Sequence, residues 1–159
     1  KPSDLGYSDT GYDLPTLHQI QHTVAAPYAP NMELGTLFPM QAGSMQERLG
    51  VRRSSVGERA SMAASITAKV PADDHFLWWC HLNDEGDALC REIPGCVQIA
   101  GSEPDAAKEE KILDFLDGKI RKLATKPSIA GYGMNLQCCA NTGFVGMNDS
   151  FEQIYQAVR

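Results

Sequence analysis

From residue 75 onward, short apolar runs alternate with helix-forming stretches, and that alternation restricts this chain to few folds. Residues 76–82 form an aromatic-rich apolar run, suited to a strand buried on both faces. Asn83 and Asp84 can start a helix that Pro94-Gly95 ends, and 96–100 predicts a second strand. Gly101-Ser102 turns into another helix, with Ser102 as cap, Pro104 in its first turn and Gly118 past its end. Strands follow over 120–125 and 144–147. A capping-box pattern, Ser150 with Gln153, opens a last helix whose Phe151, Ile154, Tyr155 and Val158 share one apolar face. Such spacing implies right-handed crossovers and a parallel sheet covered on both sides, an α/β fold. Ligands approach such sheets at the carboxyl ends of the strands, which directs attention to the loops after 82, 100, 125 and 147.

Upstream the pattern is looser. A second capping-box pattern, Ser55 with Glu58, opens a helix to about Lys69. Prolines 27, 30 and 39 and glycines 35 and 43 make 26–44 loop, while Leu17, Ile20 and Val24 point to an extended segment. The 159 residues therefore read as one domain: a lead-in over 1–44 and an α/β body over 45–159. Net charge is −6, divided unevenly, with −9 over 71–118 and +3 over 119–159. A free-standing nucleic-acid binder is usually basic overall, so any such contact here is confined to an edge. Arg48, Arg52, Arg53 and Arg59 are the most basic stretch, open to nucleic-acid contact or plain surface charge. No apolar run approaches a membrane span, and no signal-peptide pattern opens the sequence. Five cysteines without C-x-x-C spacing, and histidines without a ligand pattern, predict reduced thiols, no metal site and a cytoplasmic setting.

The loop 125–136 is the most unusual piece. Gly131 and Gly133 free its backbone for close approach, and Thr125, Lys126 and Ser128 offer a hydroxyl, an ammonium and helix-start amides. A ligand-free turn explains the same residues equally well. The run G-x-x-x-x-G-K-[ST] occurs nowhere, so the chain cannot cradle a nucleotide's phosphates alone. Elsewhere the plain readings prevail. Cys80 and His81 are strand neighbours pointing to opposite faces, Cys138 and Cys139 read as packing residues, and at least one of Trp78 and Trp79 reads as core. Asp84, Glu85 and Asp87 complement a helix dipole, and 108–111 is a solvated helix face.

Taken together, these segments resemble the second RecA-like domain of superfamily 2 helicases and translocases. The sub-pattern is that of the Swi/Snf-like ATPases and of helicase-like proteins of phages and prophages. Thr125-Lys126 followed by 130–136 is similar to the family's fifth motif, and 153–159 to the opening of the sixth. Residues 76–89 match the fourth, Gly101-Ser102 with 108–115 resembles the segment between, and Leu14-Pro15 is like the usual lead into this domain. The resemblance implies a three-layer RecA-like domain and one half of an ATP-driven motor. Thr125, Lys126, Gly101, Ser102 and Asn83 would lie at the nucleic-acid backbone. Gly131, Gly133, Asn135 and Gln156 would shape the nucleotide cleft, and Arg159 would begin the arginine motif, whose finger lies further on. ATP and magnesium would be held mainly by a first RecA-like domain of the same protein, leaving this chain inactive as an ATPase alone. DNA, with RNA as the alternative, would be the track, in a bacterial or phage-infected cell, with no membrane partner. Two other classes stay open: a non-catalytic interaction module, and a small-molecule α/β enzyme that holds a phosphorylated ligand at the 125–133 loop.

Overall fold

In a computed structural model, residues 2–8, 16–25, 44–131, 134–147 and 149–158 are described. Four parallel strands form the sheet: β1 (Phe76–Trp79), β2 (Cys96–Gln98), β3 (Lys122–Thr125) and β4 (Asn141–Phe144), in the order β2-β3-β1-β4. Among the described residues six α-helices accompany them: α1 (Met45–Ser54), α2 (Val56–Thr67), α3 (Asn83–Glu92), α4 (Asp105–Leu116), α5 (Pro127–Ala130) and α6 (Phe151–Val158).

β1 decides the layering, because its side chains enter two separate cores. Phe76, Trp78 and Cys80 pack with Ala60, Ala63, Ala88 and Leu89 beneath α2 and α3. Leu77 and Trp79 pack with Ile99, Phe115, Leu123 and Ala130 beneath α4 and α5, with Ala157 of α6 at the margin. The result is the predicted three-layer α/β domain, its sheet wholly parallel among the described strands. Both tryptophans are core, on opposite faces, which leaves neither ring free to stack on bases.

Several boundaries differ from the sequence expectation, each for a local reason. Strand β1 stops at Trp79: the Cys80 amide makes the last ladder bond, to Thr125 O at 2.8 Å. The amides of His81 and Leu82 turn instead to the Glu85 carboxylate, at 2.7 and 2.9 Å. β2 ends at Gln98, and β3 begins at Lys122. β4 lies at Asn141–Phe144, not 144–147, because polar side chains tie that earlier stretch to β1. Asn141 Nδ2 donates to His75 O (3.2 Å), and Thr142 Oγ1 to Leu77 O (3.2 Å).

Residues 45–54, unassigned in sequence, are helical, and Ser44 with Glu47 forms the capping box. Ser55 caps nothing with its side chain, because the chain reaches it already helical; its hydroxyl donates to Val51 O at 2.9 Å. The extended segment around Leu17 and Ile20 pairs with no strand among the described residues. In α6 the predicted apolar face is turned partly outward. Phe151 is 80% exposed and Tyr155 41%, their rings stacked at 6.0 Å, and Ala157 is the helix's contact with the core. Ser150 does cap this helix, accepting from the Gln153 amide at 3.4 Å. No helix among the described residues is long and apolar enough to cross a membrane.

Candidate functional site

β1 and β3 are neighbours, yet the chain leaves β1 into α3 on one face of the sheet and leaves β3 into α5 on the other. Their carboxyl ends are therefore a topological switch point, where open α/β sheets form crevices. Asn83 opens α3 on one side of it, and Lys126 stands at the cap of α5 on the other. Gly101 and Ser102, both exposed, follow the end of β2; a Cβ on Gly101 would lie 4.0 Å from Ile129 of α5. Four of the five residues assigned to nucleic acid thus share one edge. Glu103 fixes the 101–104 loop by accepting from the Ala100 amide (2.7 Å) and pairing with Lys111, which also donates to Gln98 O. Lys111 is accordingly an anchor and not part of a freely solvated helix face; Lys108 pairs with Asp105 at 3.1 Å.

Thr125 is a correction. It is 1% exposed, and its hydroxyl donates to Ile99 O at 3.3 Å, so its side chain serves the sheet and cannot reach a nucleic-acid backbone.

The cleft residues converge. Gly131, Asn135 and Gln156 line one cavity of about 270 Å³, floored by Leu77, Trp79 and Thr142 of the sheet. Loop 134–137 and α6 close its sides, as expected if the loop after β3 adjoins the terminal helix. Gly133 and Arg159 lie outside the described residues, as do Tyr132, Leu14 and Pro15. Gly131 is required sterically, since a Cβ there would come within 2.4 Å of the Pro127 carbonyl oxygen that its own amide bonds at 2.8 Å. The space it frees is taken by its own helix and not by a ligand. Among the described residues no charged side chain lines the cavity.

Among solved structures, the C-terminal part of the Fun30 ATPase domain is similar, with a TM-score of 0.56 and 17% identity. The match covers 64% of this chain and 35% of that one, so the chain spans about one third of its length. At that identity the likeness is one of fold. No family model and no curated protein sequence matches the chain.

Sequence reasoning missed the pair that builds the rim of this edge. Glu85, read as a helix-dipole residue, is fully buried and pairs with Arg59 from α2. Arg59, read as surface or nucleic-acid charge, also donates to the carbonyls of Val145 and Arg52. One guanidinium therefore joins the α1–α2 junction, α3 and the loop after β4. Gly146 is a glycine for this reason, since a Cβ would fall 2.1 Å from the Glu85 carboxylate. The only legible signal was Glu85 at the third position of α3, where a carboxylate can reach back to free amides. Of the remaining arginines in that stretch, Arg52 pairs with Asp149 at 3.1 Å in an exposed bridge.

The Cys80 thiol is a packing group in the core beneath α2 and α3. Burial, then the nearby Glu85 charge, pushes the Cys80 thiol from 9.0 up to about 12. The unfolded chain gives up this proton near pH 9 while the folded chain keeps it. The contribution is whole below pH 9 and is lost as pH rises from 9 toward 12. At pH 8, iodoacetamide should label exposed Cys138 and spare Cys80 until urea is added, as read by peptide mass spectrometry. Cys138 is therefore not the packing residue expected; half-buried Cys139 is.

The two tryptophans offer an internal comparison. Trp78 Nε1 donates to Thr67 Oγ1 at 3.0 Å, whereas Trp79 Nε1, in a residue 1% exposed, has no partner among the described residues. Trp78→Phe should destabilise by about 1 kcal/mol more than Trp79→Phe in urea unfolding, since it alone forfeits a made hydrogen bond. Equal costs would count against that bond.

Proposed function

We propose that this chain is the C-terminal motor domain of an ATP-dependent nucleic-acid helicase or translocase of superfamily 2, Swi/Snf-like and of the phage or prophage type. The observation that carries the reading is the convergence of Gly131, Asn135 and Gln156 on one cavity beside the terminal helix, in a fold shared with the C-terminal part of an ATPase domain. In this reading ATP and magnesium are held by a first RecA-like domain, whose phosphate loop supplies the charge that pairs with the nucleotide. The rim at Gly131, Asn135 and Gln156 forms the facing lip, and Arg159 starts the arginine motif that completes it. Lys126, Gly101, Ser102 and Asn83 meet the nucleic-acid backbone, with DNA as the expected track and RNA as the alternative. Closure of the cleft on ATP shifts these contacts relative to those of the first domain, and hydrolysis releases them. Contacts made to phosphates are indifferent to sequence and weaken with salt. The setting is cytoplasmic.

The test has two arms. The purified 159-residue chain should release no phosphate from Mg·ATP above the buffer blank, with or without DNA. The same chain joined behind a domain bearing the phosphate loop should show DNA-stimulated turnover, lost on Lys126→Ala. Turnover by the chain alone, or none in the joined protein, overturns the reading.

A further inference from the structure

Two of the cysteines are set against one another by the register between α3 and β2, away from the edge that the motor reading uses. Cys90 lies in the last turn of α3 and Cys96 opens β2, joined through the turn at Ile93-Pro94-Gly95. Gly95 holds φ of +74° there, and the Cys96 amide donates to Ile93 O at 3.1 Å. At the other end of the same pairing, Gln98 Nε2 donates to Asn83 O at the start of α3 (3.3 Å), and a Cβ on Gly86 would collide with the Gln98 carboxamide. Helix and strand therefore run antiparallel, face to face. Residues 96 and 98 share one side of the sheet, and residues 86 and 90 one side of the helix. From Gln98 back to Cys96 is about 6.6 Å of strand. From Gly86 on to Cys90 is about 6 Å of helix, so the step that leaves Gln98 over Gly86 leaves Cys96 over Cys90. The two thiols are hydrogen-bonded, Cys96 to Cys90. Both residues are half-buried, whereas Cys80 is buried.

The contact makes the two thiols unequal. Donation from Cys96 holds the Cys90 thiol below its ordinary value, against burial and the Asp87 charge and with help from Lys111. The same bond, then burial, holds the Cys96 thiol above its ordinary value. The thiolate is the nucleophile in disulfide exchange, which makes Cys90 the first to react.

We propose that Cys90 and Cys96 form a redox-active dithiol, which a low-molecular-weight disulfide such as glutathione disulfide converts to a reversible intramolecular disulfide. The Cys90 sulfur, its proton lost to solvent, attacks one sulfur of the small disulfide. That S–S bond breaks, one glutathione leaves as thiolate and takes up a proton, and Cys90 is left in a mixed disulfide. Cys96 then loses its proton and attacks the Cys90 sulfur, and the second glutathione leaves in the same way. The two protein thiols give up two electrons, and the small disulfide is reduced to two thiols. In a reducing compartment such a bond is transient and responds to the local thiol balance. The site does not rest on the motor reading, and its readout is a covalent bond that is independent of ATP turnover.

The full chain, reduced and freed of reductant, is incubated folded with excess glutathione disulfide, quenched with acid, alkylated and cleaved after glutamate. Cleavage after Glu85, Glu92 and Glu103 yields 86–92 with Cys90 and 93–103 with Cys96, both separated from Cys80. Mass spectrometry should find these two peptides joined, with alkylation lost from both and no glutathione on either, and dithiothreitol should restore both thiols. Cys96→Ser should accumulate glutathione on Cys90, since nothing resolves it, and Cys90→Ser should leave Cys96 as a free thiol. Should the serine variants fail to fold, the native chain decides alone. Both peptides recovered as alkylated thiols, glutathione persisting on Cys90 of the native chain, or a bond from either residue to another cysteine overturns the proposal. So does a Cys90–Cys96 bond that forms only in urea.

Discussion

Glu85→Ala is expected to cost the fold about 3–5 kcal/mol, because it strips the counter-charge from a largely buried guanidinium. The Glu85 side chain is wholly inaccessible and that of Arg59 is 18% exposed, so water cannot replace the lost partner cheaply. Three further losses accompany the charge: the amides of His81 and Leu82 lose their acceptor, and the space against Gly146 empties. Glu85→Gln separates these effects. It keeps an acceptor for the amides and the volume, but faces Arg59 without charge, and should cost clearly less than alanine. Arg59→Met should approach the alanine cost from the other side, leaving a buried carboxylate with only its two amides. Against the 5–15 kcal/mol typical of whole domains, either truncation brings the chain close to unfolding at room temperature. Urea unfolding followed by tryptophan fluorescence measures all three. The double variant should cost less than the sum of the singles, because the two residues share one interaction. A Glu85→Ala cost below about 1 kcal/mol would mean that the pair contributes no more than an exposed bridge does.

What the sequence disclosed, and what it hid, divides along the same line as those residues. The sheet was legible because β1 is a continuous apolar run, and because Pro94-Gly95 and Gly118 punctuate helices where backbone conformation demands it. Gly95 and Gly118 hold φ of +74° and +76°. The convergence of Gly131, Asn135 and Gln156 was legible through the family resemblance, since no periodicity relates the 125–136 loop to the terminal helix. By contrast β4 was displaced, because its Asn141 and Thr142 belong to the sheet through side-chain bonds that propensity does not count. Ser55 and Glu58 mimic a helix start, and only the helix before them, whose own capping box at Ser44 and Glu47 was passed over, cancels it. Arg59 and Glu85 lie 26 residues apart with surface-like neighbours, and pairing across two elements leaves no mark on either one. Thr125 was misread for the converse reason: a motif match fixes a position in the chain and says nothing of the direction of its hydroxyl.

Gly143→Val is expected to destabilise by at least the 1–3 kcal/mol usual for overpacking, and Gly143→Ala by somewhat less. Gly143 sits in β4 directly beside Trp78 of β1 in the parallel register. The indole lies over the glycine, and a Cβ built there would stand 2.4 Å from its Cζ3 and 2.8 Å from its Cε3. Relief requires the ring to move, and the ring is held twice. It stacks on Phe76 with centroids 4.5 Å apart and planes 11° from parallel, and its Nε1 is tied to Thr67. Moving it forfeits that hydrogen bond as well as the stacking, which is why even one methyl group should register. The cause can be isolated by a double-variant cycle. Trp78→Phe removes the six-membered part of the indole that Gly143 faces, so Gly143→Ala should cost much less in the Trp78→Phe background than in the native one. Undiminished cost there would place the penalty in the strand backbone, and an Ala cost near zero would mean that the ring is free to slide. Retention of glycine at this position is thus a requirement of the buried tryptophan across the ladder, not of the turn that follows the strand.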